Sequence, residues 1–557
     1  RRCQRRMLSK LLTRLFNPCA KRNSQKDGSI VRKLVSRGVT LQQLGAHTVP
    51  YGTETFEDAE AKTRSGLLHK LEQHWGDTYH LNFNWYDVMK LLNELIIQLG
   101  GSDASSYAAA VNEKPLPART FISFHYGQTV SETVDCIRAA VQLYGVADVF
   151  YMRALSVSHH GDDECELDAQ QLRVAGFSFI PDALFASGEI REMVVIHPDT
   201  AEPMCNRAFP QYELVAAVRS GISVRHVGLP RVLRKVLAAI DTSKLLHTSS
   251  TSESDLDIVR QAVKYFGGHA KLDGFIKAGI HETLRNLRDL AMQKIDGSLY
   301  GPECWGMTLA QLKELHSRAS RRLGQGQATA AALRLTMNDL VDRVIKPDTL
   351  GTGLGWALLQ NKSSPVRPQY LISHTWKEYI NEFVDALAHA DCLADDSAIW
   401  ICATAMYQCH DGKGPSIADQ LGLDVNEGPF ARIICLPDVR MIVPHTSAED
   451  VYARLWCIFE LWDACEHDVP VIFVGDEAVI QSQVQVDSRC AVCGPPQGMG
   501  SRGQPYMIDD TRKIRTQIEV SWGLDDAGRK SGILAYAKLD KIILEHRSFI
   551  DATSPRR

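Results

Sequence analysis

Along the second half of the chain, short apolar runs alternate with stretches of helical spacing. Tyr370–His374, Ala398–Ala403, Arg432–Leu436 with Arg440–Val443, and Val469–Val474 read as strands, while Glu378–Ala390 and Val451–Cys465 read as helices. Runs that are apolar throughout, rather than alternating with polar residues, belong to strands covered on both faces, as in a parallel sheet. Strand–helix alternation adds that the covering layers are helical, so the pattern predicts an α/β, doubly wound architecture. In such sheets ligands bind beyond the carboxyl ends of the strands, which makes the residues just after each strand the ones to inspect. Ahead of the strands, Leu309, Leu312 and Leu315 are spaced for a helix, and Tyr86 to Leu99 give a similar helical lead in the first half.

The same order of landmarks occurs twice. Gly38-Val-Thr-Leu-Gln-Gln-Leu44 recurs as Gly306-Met-Thr-Leu-Ala-Gln-Leu312, and Phe121-Ile-Ser-Phe-His125 as Tyr370-Leu-Ile-Ser-His374. Arg207-Ala-Phe-Pro-Gln-Tyr-Glu-Leu214 recurs as Arg454-Leu-Trp-Cys-Ile-Phe-Glu-Leu461, and Ala270-Lys-Leu-Asp-Gly-Phe-Ile276 as Ala537-Lys-Leu-Asp-Lys-Ile-Ile543. Collinear repetition points to an internal duplication. The last landmark falls further downstream in copy two than the middle pair requires, which places an insertion around Cys490 to Gly503, where Gly, Pro, Ser and Arg crowd together. The expected organisation is a basic leader (1–29), a helical lead (30–118), a first domain (119–290), a second lead (291–367) and a second domain (368–550). Both domains are expected to be flavodoxin-like.

Composition narrows the partners. The 557 residues are 45% hydrophobic and 23% charged, too long for one core, with a net charge of −4 that gives no field to gather nucleic acid. The 14 cysteines lie mostly inside apolar runs such as Ile434-Cys435-Leu436, a pattern of buried, reduced thiols that suits the cytoplasm. Cys490 and Cys493 have no second pair to complete a zinc site, and His159-His160-Gly-Asp-Asp163 is equally incomplete, so no metal is expected. Gly351-Thr-Gly-Leu-Gly355 lacks the spacing and the preceding strand of a dinucleotide fingerprint. No apolar stretch is long enough to span a bilayer. The first 26 residues hold nine Lys/Arg and no acid, with Met7, Leu8, Leu11, Leu12, Leu15 and Phe16 at helical spacing. That segment is either an organelle-targeting or membrane-surface helix or a solvated terminus.

Three segments carry a resemblance. Phe121-Ile-Ser-Phe-His-Tyr-Gly-Gln-Thr129 resembles the opening strand and loop of TIR (Toll/interleukin-receptor) domains. Arg454-Leu-Trp-Cys-Ile-Phe-Glu-Leu461 is similar to the segment that carries the glutamate of enzymatic TIR domains, and Trp400-Ile-Cys-Ala-Thr-Ala-Met-Tyr-Gln408 to the middle strand of TIR-like proteins of dinoflagellates and related protists. The resemblance implies NAD⁺ glycohydrolysis in stress or immune-type signalling, with Glu460 as the catalytic carboxylate and Glu213 as its counterpart in the diverged copy. It implies that His374, Trp376, Arg454 and Trp456 hold the nucleotide, with NAD⁺ as substrate rather than cofactor. One carboxylate suffices where glycosidases need two, because nicotinamide leaves NAD⁺ as a neutral molecule and only the oxocarbenium-like charge needs stabilising.

Other readings stand beside these. Glu460, followed by leucine on an amphipathic helix, also fits a solvated helix face. Trp456 fits a core position, and His125 and His374 fit strand-end caps. Copy one departs from the pattern, with Phe209-Pro-Gln-Tyr212 in place of Trp456-Cys-Ile-Phe459, and Pro210 holds the start of its helix close to that point. That fits a regulatory or scaffolding copy. The alternative for the whole chain is a non-catalytic TIR-like module whose copies associate with each other or with other TIR-like domains.

Overall fold

A computed structural model of the chain describes residues 35–44, 106–112, 114–156, 179–199, 203–244, 253–324 and 334–482, with single positions 84, 85, 88, 514, 518 and 541. The chain divides into two compact units, Arg1–Asn286 and Leu287–Arg557.

The sheet of the first unit consists of β1 (Val39–Thr40), β2 (Thr120–Ser123), β3 (Val149–Met152), β4 (Glu192–Ile196) and β5 (Ser223–Val227), in the order β1-β3-β2-β4-β5. β2 to β5 run parallel and β1 pairs antiparallel with β3. Helices α1 (Tyr107–Val111), α2 (Val130–Tyr144), α3 (Arg153–Ser156), α4 (Ala208–Arg219) and α5 (His269–Leu290) belong to the same half of the chain. The unit two elements are a hairpin of β6 (Gln293–Ile295) and β7 (Ser298–Tyr300), then β8 (Met307–Thr308), β9 (Tyr370–Ile372), β10 (Ala398–Trp400), β11 (Arg440–His445) and β12 (Val471–Gly475). The sheet order is β12-β11-β9-β10-β8, again with four parallel strands and an antiparallel edge, β8 on β10. Its helices include α6 (Leu309–Gly324), α7 (Trp356–Gln360), α8 (Ile380–Ala388), α9 (Cys402–Ala405), α10 (Pro429–Ile434) and α11 (Leu455–Glu466).

Both sheets therefore place their four parallel strands in the order second, first, third, fourth, beside a two-residue antiparallel edge. All of β2 and β10 and nearly all of β4 are buried, as expected of strands covered on both faces. Burial of Leu309, Leu312 and Leu315 on α6 against Ile372, Phe383 and Ile399 shows the helical lead closing over this core.

The edges repeat in atomic detail. Gln43 N donates to Thr40 Oγ1 at 3.2 Å while Thr40 N donates to Gln43 Oε1 at 2.9 Å, a capping box that starts the helix after β1. Thr308 and Gln311 form the same box at 3.2 and 2.9 Å. Asn112 Nδ2 donates to Gly38 O and Ala108 O, and Asn361 Nδ2 to Gly306 O and Ala357 O. Each asparagine thus ties a short helix, α1 or α7, to the strand that edges the sheet.

Several sequence expectations change. Arg432–Leu436 is not a strand: α10 covers Pro429–Ile434, with Pro429 at the first helical position, where its missing N–H is harmless. The strand at Ala398 stops at Trp400, and Cys402 opens α9. The segments expected as helical leads also supply β1 and β8 to the sheets. The match of Phe121–His125 to Tyr370–His374 slips by one residue. Arg119 N donates to Val149 O and Gln369 N to Ala398 O, and α2 and α8 start at Val130 and Ile380, so Ser123 corresponds to Ser373 and His125 to Thr375. The basic leader, Tyr86–Leu99 apart from Val88, the His159–Asp163 segment, the Cys490–Gly503 insertion and Ala537–Ile543 apart from Lys541 lie outside the described residues.

Candidate functional site

In unit two, the polar residues of interest follow three neighbouring parallel strands. Ser373 and His374 follow β9, Cys402 follows β10, and Glu460 lies on α11 after β11. This is the carboxyl edge of the sheet, where the topology reverses direction between β9 and its two neighbours.

Glu460 is not on a solvated face. Cys457, Ile458, Phe459, Leu461, Trp462 and Ala464 are buried around it, and Glu460 itself is 4% exposed. Trp462 and Ile458 pack in one cluster with Ile514 and Ile518. A helix apolar on all sides is enclosed on all sides, and its one early carboxyl is buried with it. Burial pushes the Glu460 carboxyl up to about 7, against smaller opposing pulls from Ser373 and His374. The Ser373 hydroxyl meets the Glu460 carboxyl only loosely, leaving Oε2 without a well-formed bond.

Unit one repeats this arrangement with a tighter Ser–Glu contact. Glu213, the sixth residue of α4 as Glu460 is of α11, accepts a 2.5 Å hydrogen bond from Ser123 Oγ at the end of β2. Its carboxyl is likewise pushed to about 7 by burial, with Ser123 and Arg153 pulling the other way. Pro210 sits in the first turn of α4, where it interrupts no ladder bond.

His374 is the hub of the unit two site. Its Nε2 lies 2.9 Å from Cys402 Sγ, and its Nδ1 lies 3.1 Å from Thr375 O and 3.3 Å from Glu378 Oε1. A backbone carbonyl can only accept, so Nδ1 carries a proton and Nε2 faces the thiol. Burial alone would lower the imidazole, yet Cys402 and Glu378 on its two nitrogens hold it well above the usual histidine range. Burial pushes the Glu378 carboxyl to about 7, while His374 draws it back. Cys457 Sγ donates to His374 O at 3.3 Å, which ties α11 to the loop after β9.

His374 also brings together two of its expected partners: Trp376 meets its ring edge-on at 5.5 Å, and its charge acts on Glu460. Trp456 is half-buried, its ring 5.0 Å from that of Phe430 and 5.7 Å from that of Phe459. Arg454 holds the N-cap position of α11 and acts electrostatically on Cys457. In unit one, His125 accepts from Gly127 N at 3.0 Å, a local loop bond.

Glu378, Cys402 and the two serines did not enter the sequence assignment. The serines stood inside the matched segments, and a one-residue correction of the register pairs them. A third grouping also escaped the sequence. His197, Cys205 and His226 are fully buried in unit one, with ligand-type atoms within 4.8 Å of one another, a set that could hold a metal ion. His197 Nε2 and His226 Nδ1 already share a hydrogen bond at 3.0 Å, and burial lowers both imidazoles. No family model, curated protein or solved structure matches the chain.

Proposed function

We propose that unit two is a TIR-like NAD⁺ glycohydrolase site with Glu460 as its carboxylate, and that unit one is its non-catalytic partner. Support for a flavodoxin-like, doubly wound class comes from the shared order second, first, third, fourth of the parallel strands. The observation that carries the catalytic reading is a difference between the two glutamates: Glu213 accepts a short bond from Ser123, whereas Glu460 meets Ser373 only loosely and has His374 acting on it as well. A desolvated carboxyl that interacts with His374 suits the holding of a ribose and the stabilisation of the cationic charge that grows as nicotinamide departs. Trp376, half-buried beside His374, offers a face for a flat ring.

The test is nicotinamide release from NAD⁺ by the full chain and by its Glu460→Gln and Glu213→Gln variants. Loss of release in Glu460→Gln alone supports the reading. No release by the unsubstituted chain, at any pH between 6 and 9, would leave the interaction module as the account of both units.

A further inference from the structure

We propose that Cys402, His374 and Glu378 form a nucleophile, base and orienting carboxylate that move neutral acyl groups through a thioester on Cys402. The three come from two places in the chain: Cys402 from the start of α9, and His374 and Glu378, four residues apart, from the connection between β9 and α8. Sγ and Nε2 share a hydrogen bond at 2.9 Å, Oε1 of Glu378 lies at ion-pair distance, 3.3 Å, from Nδ1, and the Thr375 carbonyl accepts the Nδ1 proton and fixes the tautomer that leaves Nε2 facing sulfur. A nucleophile hydrogen-bonded to a base that is itself oriented by a third group is the arrangement acyl transfer requires. His374 and Glu378 are buried and Cys402 is partly buried, which makes Cys402 the most accessible of the three residues.

Unit one carries none of the three. By the same strand pairing, Phe124 stands where His374 does, Arg153 where Cys402 does, and Gln128 where Glu378 does. The retained Ser–Glu pair and the triad are thus separable features, and the second belongs to unit two alone.

The step balances with water as co-reactant. His374 Nε2 takes the Cys402 proton, sulfur bonds to the carbonyl carbon of an ester, and the ester C–O bond breaks as His374 protonates the departing alkoxide. Water then attacks the thioester with His374 as base, the C–S bond breaks, the thiol regains the proton, and the carboxylic acid leaves. The charged or titratable groups facing His374 are Glu378 from the α8 side, Glu460 and the Cys457 thiol from α11, and Cys402 from α9. Two of these are buried carboxyls, which disfavour an anionic acyl group, and Trp376 offers an apolar wall.

The experiment incubates the full chain with p-nitrophenyl acetate, follows p-nitrophenolate, and maps acetylated cysteines by mass spectrometry. Cys435, which is exposed, is the internal control. The expected result is acetylation of Cys402 at pH 6 to 7 at least about a hundredfold faster than of Cys435, with His374→Asn removing the advantage and Glu378→Gln cutting it about tenfold. Acetylation of Cys402 no faster than of Cys435 overturns the proposal without any variant needing to fold. NAD⁺ takes no part in this readout, so failure of the glycohydrolase reading and failure of the triad are seen separately.

Discussion

Gln311 Nε2 donates to Asn361 Oδ1 at 2.8 Å, fifty residues away in sequence, and the same asparagine donates to Gly306 O just ahead of β8 and to Ala357 O within α7. The pair recurs as Gln43 and Asn112, also at 2.8 Å. One side chain therefore satisfies an edge strand, a helix and a capping glutamine at once. Asn361→Ala leaves those groups unpaired and is expected to destabilise unit two by about 1–3 kcal/mol. Urea unfolding followed by tryptophan fluorescence checks this, and a midpoint unchanged from the parent chain contradicts it.

Gly355 marks another fixed approach. A Cβ there would meet Ala405 O at 2.1 Å, and Gly355 N already donates to Gln293 Oε1 at 2.7 Å. Gly355→Ala must push α9, and with it Cys402, away from α7. A loss on the order of 2 kcal/mol is expected from such overpacking, read as a lower thermal midpoint. Retention of the parental midpoint would show that the contact relaxes freely.

Glu213 makes stability depend on pH with a definite sign. Its carboxyl titrates near 7 in the fold, above the ordinary glutamate value near 4.5. Between those values the folded unit holds a proton that the unfolded chain has released, so stability is present at low pH and falls as pH rises from about 4.5 through about 7. Glu213→Gln keeps an acceptor for Ser123 and cannot ionise. Its expected effect is a gain of about 1–3 kcal/mol at pH 8 relative to the parent, shrinking towards pH 5. Chemical unfolding at the two pH values decides it, and an equal effect at both would remove the carboxyl as the source.

For catalysis, the ionised form of Glu460 is the useful one, because it stabilises positive charge. With the carboxyl near 7, nicotinamide release is expected to rise from pH 6 to pH 8 and then level. A rate that falls over this interval would assign the work to a protonated group. Glu213→Gln is expected to change release by less than tenfold, under about 1.4 kcal/mol of barrier.

The alternating apolar runs made the sheet readable: the strands at Tyr370, Ala398, Arg440 and Val471 all fall within or beside the expected segments. Arg432–Leu436 was misread because five mostly apolar residues look alike as strand or buried helix. The antiparallel edges were hidden because two residues show no periodicity. Glu460 was expected either at a solvated face or in a pocket, and the sequence did not settle which, since the residues that bury α11 include Ile514 and Ile518, far along the chain. Cys402 and Glu378 were hidden for the same reason: nothing in sequence spacing says that two strand ends and a loop converge on one imidazole.

The antiparallel edge decides where either unit can be cut. A fragment beginning at residue 368, just ahead of β9, would keep all four parallel strands yet lose β8 and the Gln311–Asn361 pair. The flank of β10 would then offer its unpaired backbone to any passing strand, an invitation to self-templated aggregation. Recombinant halves should begin ahead of Gly38 or Gly306, so that each sheet carries its own closing edge.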